Sequence, residues 1–243
     1  MPLAKEMVAA SSGDIRFDVP LYTVAEAARA IGVSAATLGS WVKRPASVRQ
    51  QGEHPPVVTS VPSNSVRQPT IPFVGLAEGL VLAAVRRAGV PLQRIRPALE
   101  RLSHDLGIDH ALASRQLYTD GAEILFDYAE HSPGEAVMVR HLVVVRNQQR
   151  VFSEVVDQYL QRIDYAEDGY ARLLRLPVYS VAQVVADPER AFGKPIFARG
   201  AAKVSDVLDR FWAGEDLNSV ADDFGIPRAD LEDVVRVASR RAA

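Results

Sequence analysis

The segment from Leu21 to Arg44, LYTVAEAARAIGVSAATLGSWVKR, constrains the fold of this chain more than any other. Thr23 stands where a helix cap belongs, and Glu26, three residues on, completes a capping box. Val24, Ala27, Ala28 and Ile31 then share one face. Gly32 can take the positive φ that ends a helix, and Ser34 can cap the next one, whose Leu38, Trp41 and Val42 turn inward. Two short helices joined by a three- or four-residue turn make helix-turn-helix spacing, and the small Ala27 and Ala28 allow a close crossing. The second helix would show Ser34, Thr37, Ser40, Lys43 and Arg44 outward, short hydroxyls and cations of the kind that reach into a DNA groove.

Charge points the same way. The net charge is −2, but its distribution is uneven. Between Leu21 and His104 there are ten lysines and arginines against four acids, whereas between Val204 and Val235 nine acids face two arginines. A basic front suits a polyanion; an acidic back is repelled by one and suits a protein partner. With no cysteine, disulfides, thiolate metal sites and cysteine nucleophiles are excluded. No phosphate loop, dinucleotide fingerprint, nucleophile elbow or paired-histidine zinc motif occurs, so the expectation is a protein without a catalytic centre, metal or cofactor. His104, Asp105, Asp109 and His110, and separately Asp206 with Asp209, are the nearest approach to metal ligands, and a solvated helix face or helix end accounts for them. Neither a secretory leader nor an apolar run of membrane length is visible, which gives a cytoplasmic expectation.

A length of 243 residues suits two modest domains. The first is expected over 20–163: the helix-turn-helix, a β-prone Val57–Val61 as loop or wing, helices over Phe73–Ala88 and from Pro91 through Leu106, and a hairpin around Asp120-Gly121 within Gln116–Asp127. A strand at Leu142–Val145 and a helix near Phe152–Ile163 complete it. A polar stretch from Asp164 to Pro177 is expected as the connection to a second domain over 178–243. That domain should open with a short helix at Ser180–Val185 and close with helices over Val204–Trp212, Leu217–Phe224 and Ala229–Ser239, the last pair again at helix-turn-helix spacing. Its outer face would carry Asp222, Asp223, Asp230, Glu232 and Asp233, which oppose phosphates. Phe192, Phe197 and the Phe211-Trp212 pair are candidate partner anchors, with core positions the commoner use of such residues. The fold class is mainly α with small β-hairpins, a winged helix-turn-helix followed by a helical, helix-turn-helix-like unit.

From Gly193 to Ile226 the chain reads GKPIFARGAAKVSDVLDRFWAGEDLNSVADDFGI. It resembles a family of small antitoxins with the pattern G-K-P-x-I-x-G-T-R-x-x-V, a helix, Ala-Gly, and an acidic helix ending in an aromatic-Gly turn. The likeness spans about Val185 to Ala238, with Ala201-Ala202 standing where Thr-Arg is usual. The front, from Tyr22 to about Gly121, resembles winged helix-turn-helix domains of MerR type, most closely at Ala88–Arg96. Together they are similar to two-domain antitoxins of VapB type. The resemblance implies a DNA-binding antitoxin that neutralises a ribonuclease toxin of PIN-like fold and regulates its own operon. On this reading Ser34, Thr37, Ser40, Lys43, Arg44 and Arg49 contact operator DNA, Asp222, Asp223 and Phe224 contact the toxin, and a homodimer reads a two-fold operator. The alternative is a MerR-like regulator that holds a small molecule between the hairpin around Tyr118–Tyr128 and the helix after it.

Overall fold

The computed structural model describes residues 13–42, 56–62, 68–90, 92–131, 141–146 and 149–240. Helices α1 (Val24–Ile31) and α2 (Ala35–Val42) form as the capping signals require. Thr23 Oγ1 accepts from the Glu26 N–H and the Glu26 carboxylate accepts from the Thr23 N–H, so two otherwise orphaned donors are satisfied reciprocally. Gly32 ends α1 at φ 78°, left-handed geometry that an L side chain rarely enters.

Helix α3 (Phe73–Arg87) is the centre of the fold, with every residue from Phe73 to Val85 buried. A helix apolar on all sides must be packed on all sides. Ile31 and Leu38 of the helix-turn-helix lie against it at Gly79. Helix α4 (Leu92–Leu106) follows, then a single 3₁₀ turn (Ala111–Ala113) and α5 (Arg115–His131). The strands β1 (Val143–Arg146) and β2 (Gln149–Phe152) pair antiparallel and lead into α6 (Glu154–Leu160). A four-stranded antiparallel sheet comes next, in the order β3 (Ile163–Tyr165), β4 (Ala171–Arg175), β5 (Val184–Ala186) and β6 (Ile196–Phe197). Helices α7 (Val204–Trp212), α8 (Leu217–Phe224) and α9 (Arg228–Ser239) close the chain. The buried apolar side chains form one cluster that runs from Phe17 through Ile31, Trp41 and Leu80 to Phe197, Leu231 and Val234.

Three local expectations are corrected. Asp120-Gly121 is not a hairpin turn but part of α5. Leu117, Gly121 and Leu125 recur at four-residue spacing and are buried, and a Cβ at Gly121 would come within 3.2 Å of Phe152 Cζ, so helix packing overrides the turn signal. The stretch 164–177, expected as a polar connector, supplies β4 and most of β3. The Ser180–Val185 helix is absent: the N–H groups of Ser180, Val181 and Ala182 donate to the Asp233 carboxylate instead of building a helical turn, and the chain continues into β5.

Candidate nucleic-acid interface

The outward side of α2 carries the hydroxyls singled out in the sequence. Ser34 and Ser40 are exposed and Thr37 is half-buried. Ser34 Oγ accepts from the Thr37 N–H at 3.0 Å and lies 2.8 Å from Thr37 Oγ1, while Ser40 Oγ donates to the Thr37 carbonyl at 2.6 Å. Ser34 is thus the helix cap, and the three residues lie in a strip along one side of α2, Ser34 and Thr37 joined through their hydroxyls and Ser40 tied to the Thr37 carbonyl. Lys43, Arg44 and Arg49 lie outside the described residues. Beneath the strip, Leu38 and Trp41 are 1% exposed, so α2 is anchored by its opposite side.

Behind α2 the chain passes along a strap, residues 56–62, where a loop or wing was expected. The Trp41 carbonyl accepts from the N–H groups of Val57 and Val58, and the Val61 N–H donates to the Thr70 carbonyl at 2.8 Å. One buried carboxylate fastens this strap. Glu78 of α3 accepts from the Thr59 N–H at 2.6 Å and from Thr59 Oγ1 at 3.1 Å, and its Oε1 lies 3.1 Å from His110 Nδ1. Burial pulls the His110 imidazole down, but the hydrogen bond and charge of Glu78, aided by Asp109 and Asp18, outweigh it and raise its pKa above the ordinary value of 6.5. A raised folded-state pKa means that the contribution is fully present below 6.5 and is lost as pH climbs through the raised value. We expect the melting temperature of the native chain to fall from pH 6.5 to pH 8 by more than that of His110→Asn, a substitution that tolerates the left-handed backbone at this position (φ 52°). Parallel pH profiles for the two proteins would remove the imidazole from this account.

The other basic residues of the front do not all converge on α2. Arg101 pairs with Asp105 at 2.6 Å, and the Arg87 guanidinium lies 5.6 Å from the Tyr159 ring centroid. His104 also contacts Asp105, and among the described residues no group of three or more metal-ligating side chains could hold an ion.

The acidic end is more structured than its sequence suggests. Asp222 and Asp223 are exposed, but Asp223 is held by Arg210 at 2.7 Å, and the same guanidinium bridges Glu215 and lies 5.5 Å from the half-buried Phe224 ring. Asp233 is corrected outright: it is 1% exposed and receives backbone N–H groups, so it belongs to no outer surface. Phe197 is buried, whereas Phe192 and Trp212 are exposed. Their exposure has no signature in the sequence, because an aromatic beside apolar neighbours reads as core.

Residues 20–99 match a family described as "Putative DNA-binding HTH domain", and residues 184–237 match one described as "Protein of unknown function (DUF433)". The α1–Gly32–α2 unit therefore sits in a helix-turn-helix domain of the DNA-binding class. Over 231 residues the chain is 47% identical to the protein named "Putative antitoxin VapB45" of Mycobacterium tuberculosis (strain ATCC 25618 / H37Rv), covering 91% of this chain and 95% of that protein. It is also similar to the X-ray crystal structure of Rv2018 from Mycobacterium tuberculosis, with a TM-score of 0.80 and 45% identity over 90% of this chain and 99% of that one. The chain belongs to the VapB45 antitoxin family. The hairpin required by the alternative small-molecule reading is the helix α5, and the likeness to VapB45 does not favour that alternative. Among the described residues no helix is long and apolar enough to cross a membrane.

Proposed function

We propose that this protein is a cytoplasmic antitoxin that binds operator DNA as a homodimer, represses its own operon and neutralises a ribonuclease toxin of PIN-like fold. The observation that carries the DNA half is the solvent-facing strip of Ser34, Thr37 and Ser40 on a helix anchored from behind by Leu38 and Trp41, within a helix-turn-helix domain. Kinship with VapB45 carries the toxin half. The unit over 20–163 takes the DNA and the unit over 178–243 takes the protein partner. Lys43, Arg44 and Arg49, which follow α2 in sequence, supply phosphate contacts, while Thr37 and Ser40, short polar side chains on α2, are the residues assigned to sequence discrimination.

Fluorescence anisotropy on operator and scrambled duplexes tests the DNA half. Replacing Lys43 and Arg44 together by Ala should weaken binding to both duplexes and lower the slope of log K against log salt by about 2, at roughly 0.9 per phosphate contact. Unchanged affinity on both duplexes would reject the assignment. For the toxin half, Asp222 is the cleaner probe, since substituting Asp223 would also break its pair with Arg210. Asp222→Lys should slow capture of a basic nuclease co-expressed from the adjoining gene and flatten the salt dependence of the on-rate. Full-rate capture by that variant would move the toxin contact elsewhere.

A further inference from the structure

A cleft of about 780 Å³ separates the helix-turn-helix from the C-terminal helices, and the reading above gives it no task. One wall is Glu26, Arg29 and Ala30 of α1; the other is Ser205, Asp209 and Trp212, which recur at helical spacing along α7. Phe192 stands on its rim. The ring is 74% exposed and Trp212 is 57% exposed, the two most exposed large apolar residues described.

Phe192 is displayed by unusual backbone. Ala191 and Phe192 have φ of 50° and 51°, a left-handed pair that non-glycine residues seldom form and that persists only where the surroundings impose it. Here they do. The Gly193 carbonyl accepts from the Tyr22 hydroxyl at 2.8 Å, Lys194 Nζ donates to Glu26 Oε1 at 2.8 Å, and the Gly193 N–H donates to the Asp187 carbonyl at 3.1 Å. A strained turn tied to Tyr22, Glu26 and Asp187 thus holds a large apolar side chain in water.

The charges around the cleft decide what covers it. A basic nuclease or a nucleic acid selects a rim of one sign, whereas this rim holds three acids, Glu26, Asp206 and Asp209, and three bases, Arg29, Lys194 and Lys203. Such a balanced rim complements itself under a two-fold rotation, in which each wall meets the opposite wall of the other copy. Shape agrees, because one surface carries both a knob, Phe192, and a hole beside it. We infer that the cleft is the homodimer interface of this protein: Phe192 of each copy enters the other copy's cleft beside Trp212. Because α1 forms one wall, the same contact sets the spacing of the two helix-turn-helix units. The inference rests on the proposed operator reading only in that a two-fold operator calls for a dimer.

The test uses the full chain without DNA or toxin, so that failure of either of those readings leaves it untouched. Sedimentation velocity over a concentration series should show a dimer of the native chain dissociating below the micromolar range. Phe192→Gly removes the knob and relieves the left-handed strain, so its melting temperature should hold or rise. Ser205→Trp fills the hole. Each variant alone should raise the dimer dissociation constant about 30-fold or more, the effect of losing a central aromatic anchor. Mixed, the two should form heterodimers more readily than either pairs with itself, since one knob still finds one open cleft. A native chain that stays monomeric at high concentration overturns the inference, including the case in which Ser205→Trp blocks nuclease capture by that monomer. Variants that dimerise like the native chain, or a mixture no tighter than its components, overturn it equally.

Discussion

Replacing Asp233 by Ala is expected to cost about 3–5 kcal/mol of unfolding free energy, the scale for removing one partner of a buried, hydrogen-bonded charge. Oδ2 accepts from the N–H groups of Ser180 and Val181 at 2.8 Å each and of Ala182 at 3.1 Å. Oδ1 accepts from Ser180 Oγ at 3.0 Å and from Arg236 Nη1 at 3.1 Å. Truncation leaves three consecutive backbone donors without an acceptor, each costing about 1–3 kcal/mol where it stays buried, with partial relief as the loop relaxes. Burial pushes the Asp233 carboxyl up, but the N–H groups of Val181, Ala182 and Ser180 outweigh it and hold the group below the usual carboxylate range. A lowered folded-state pKa contributes stability that is complete above the ordinary value and disappears as pH falls through the folded one. Urea denaturation should therefore show the full gap between native chain and Asp233→Ala at pH 6, and a shrinking gap below about pH 4. A gap under 1 kcal/mol at pH 6 would mean that the loop finds other acceptors.

Asp233 also shows why part of this protein was illegible in its sequence. Among Asp222, Asp230 and Glu232 it reads as one more solvated acid, because the donors it serves lie more than fifty residues upstream and only the folded chain brings them near. Local signals fared better. The Thr23–Glu26 box and Gly32 lie within a few residues of the helices they bound, so α1 and α2 fall where the sequence put them, and α7 and α8 keep their expected ranges. Gly121 failed for the opposite reason: Asp-Gly favours a turn locally, but packing of α5 on α4 and against Phe152 needs a residue without a side chain on that face. Strands β3, β5 and β6 are two or three residues long, too short for alternation to register. At the site, the hydroxyl strip was readable because helical spacing is local. The strap behind it was not, since Glu78 in a run of apolar residues gives no hint that it serves Thr59 and His110.

The same chemical change, glycine to alanine, should have opposite effects at two positions around the helix-turn-helix. At Gly75 of α3 an added Cβ would lie 2.3 Å from the Thr59 carbonyl oxygen and 3.1 Å from Ile71 Cγ2. Real Cβ atoms do not approach a backbone oxygen so closely, and that oxygen belongs to the strap rather than to a flexible side chain. The strap must therefore lift from α3. Lifting it strains the Thr59 bonds to Glu78 and the bonds from Val57 and Val58 to the Trp41 carbonyl, which brace the end of α2. Overpacking of this kind costs about 3 kcal/mol, and here it also loosens the helix that carries Thr37 and Ser40. At Gly39, in the middle of α2, the nearest atom to an added Cβ is Val24 Cγ1 at 3.9 Å, ordinary contact distance. Alanine there gains helix propensity and reduces the entropy of the unfolded chain, together about 0.5–1 kcal/mol of stabilisation. Denaturant midpoints of the two variants should move in opposite directions from the native chain, and operator affinity should fall for Gly75→Ala while Gly39→Ala keeps it. If Gly75→Ala keeps the native midpoint and affinity, the strap does not brace α2. If Gly39→Ala remains stable but loses the operator, the Gly39 side of α2 lies against the DNA backbone, and the recognition strip must be rotated toward it.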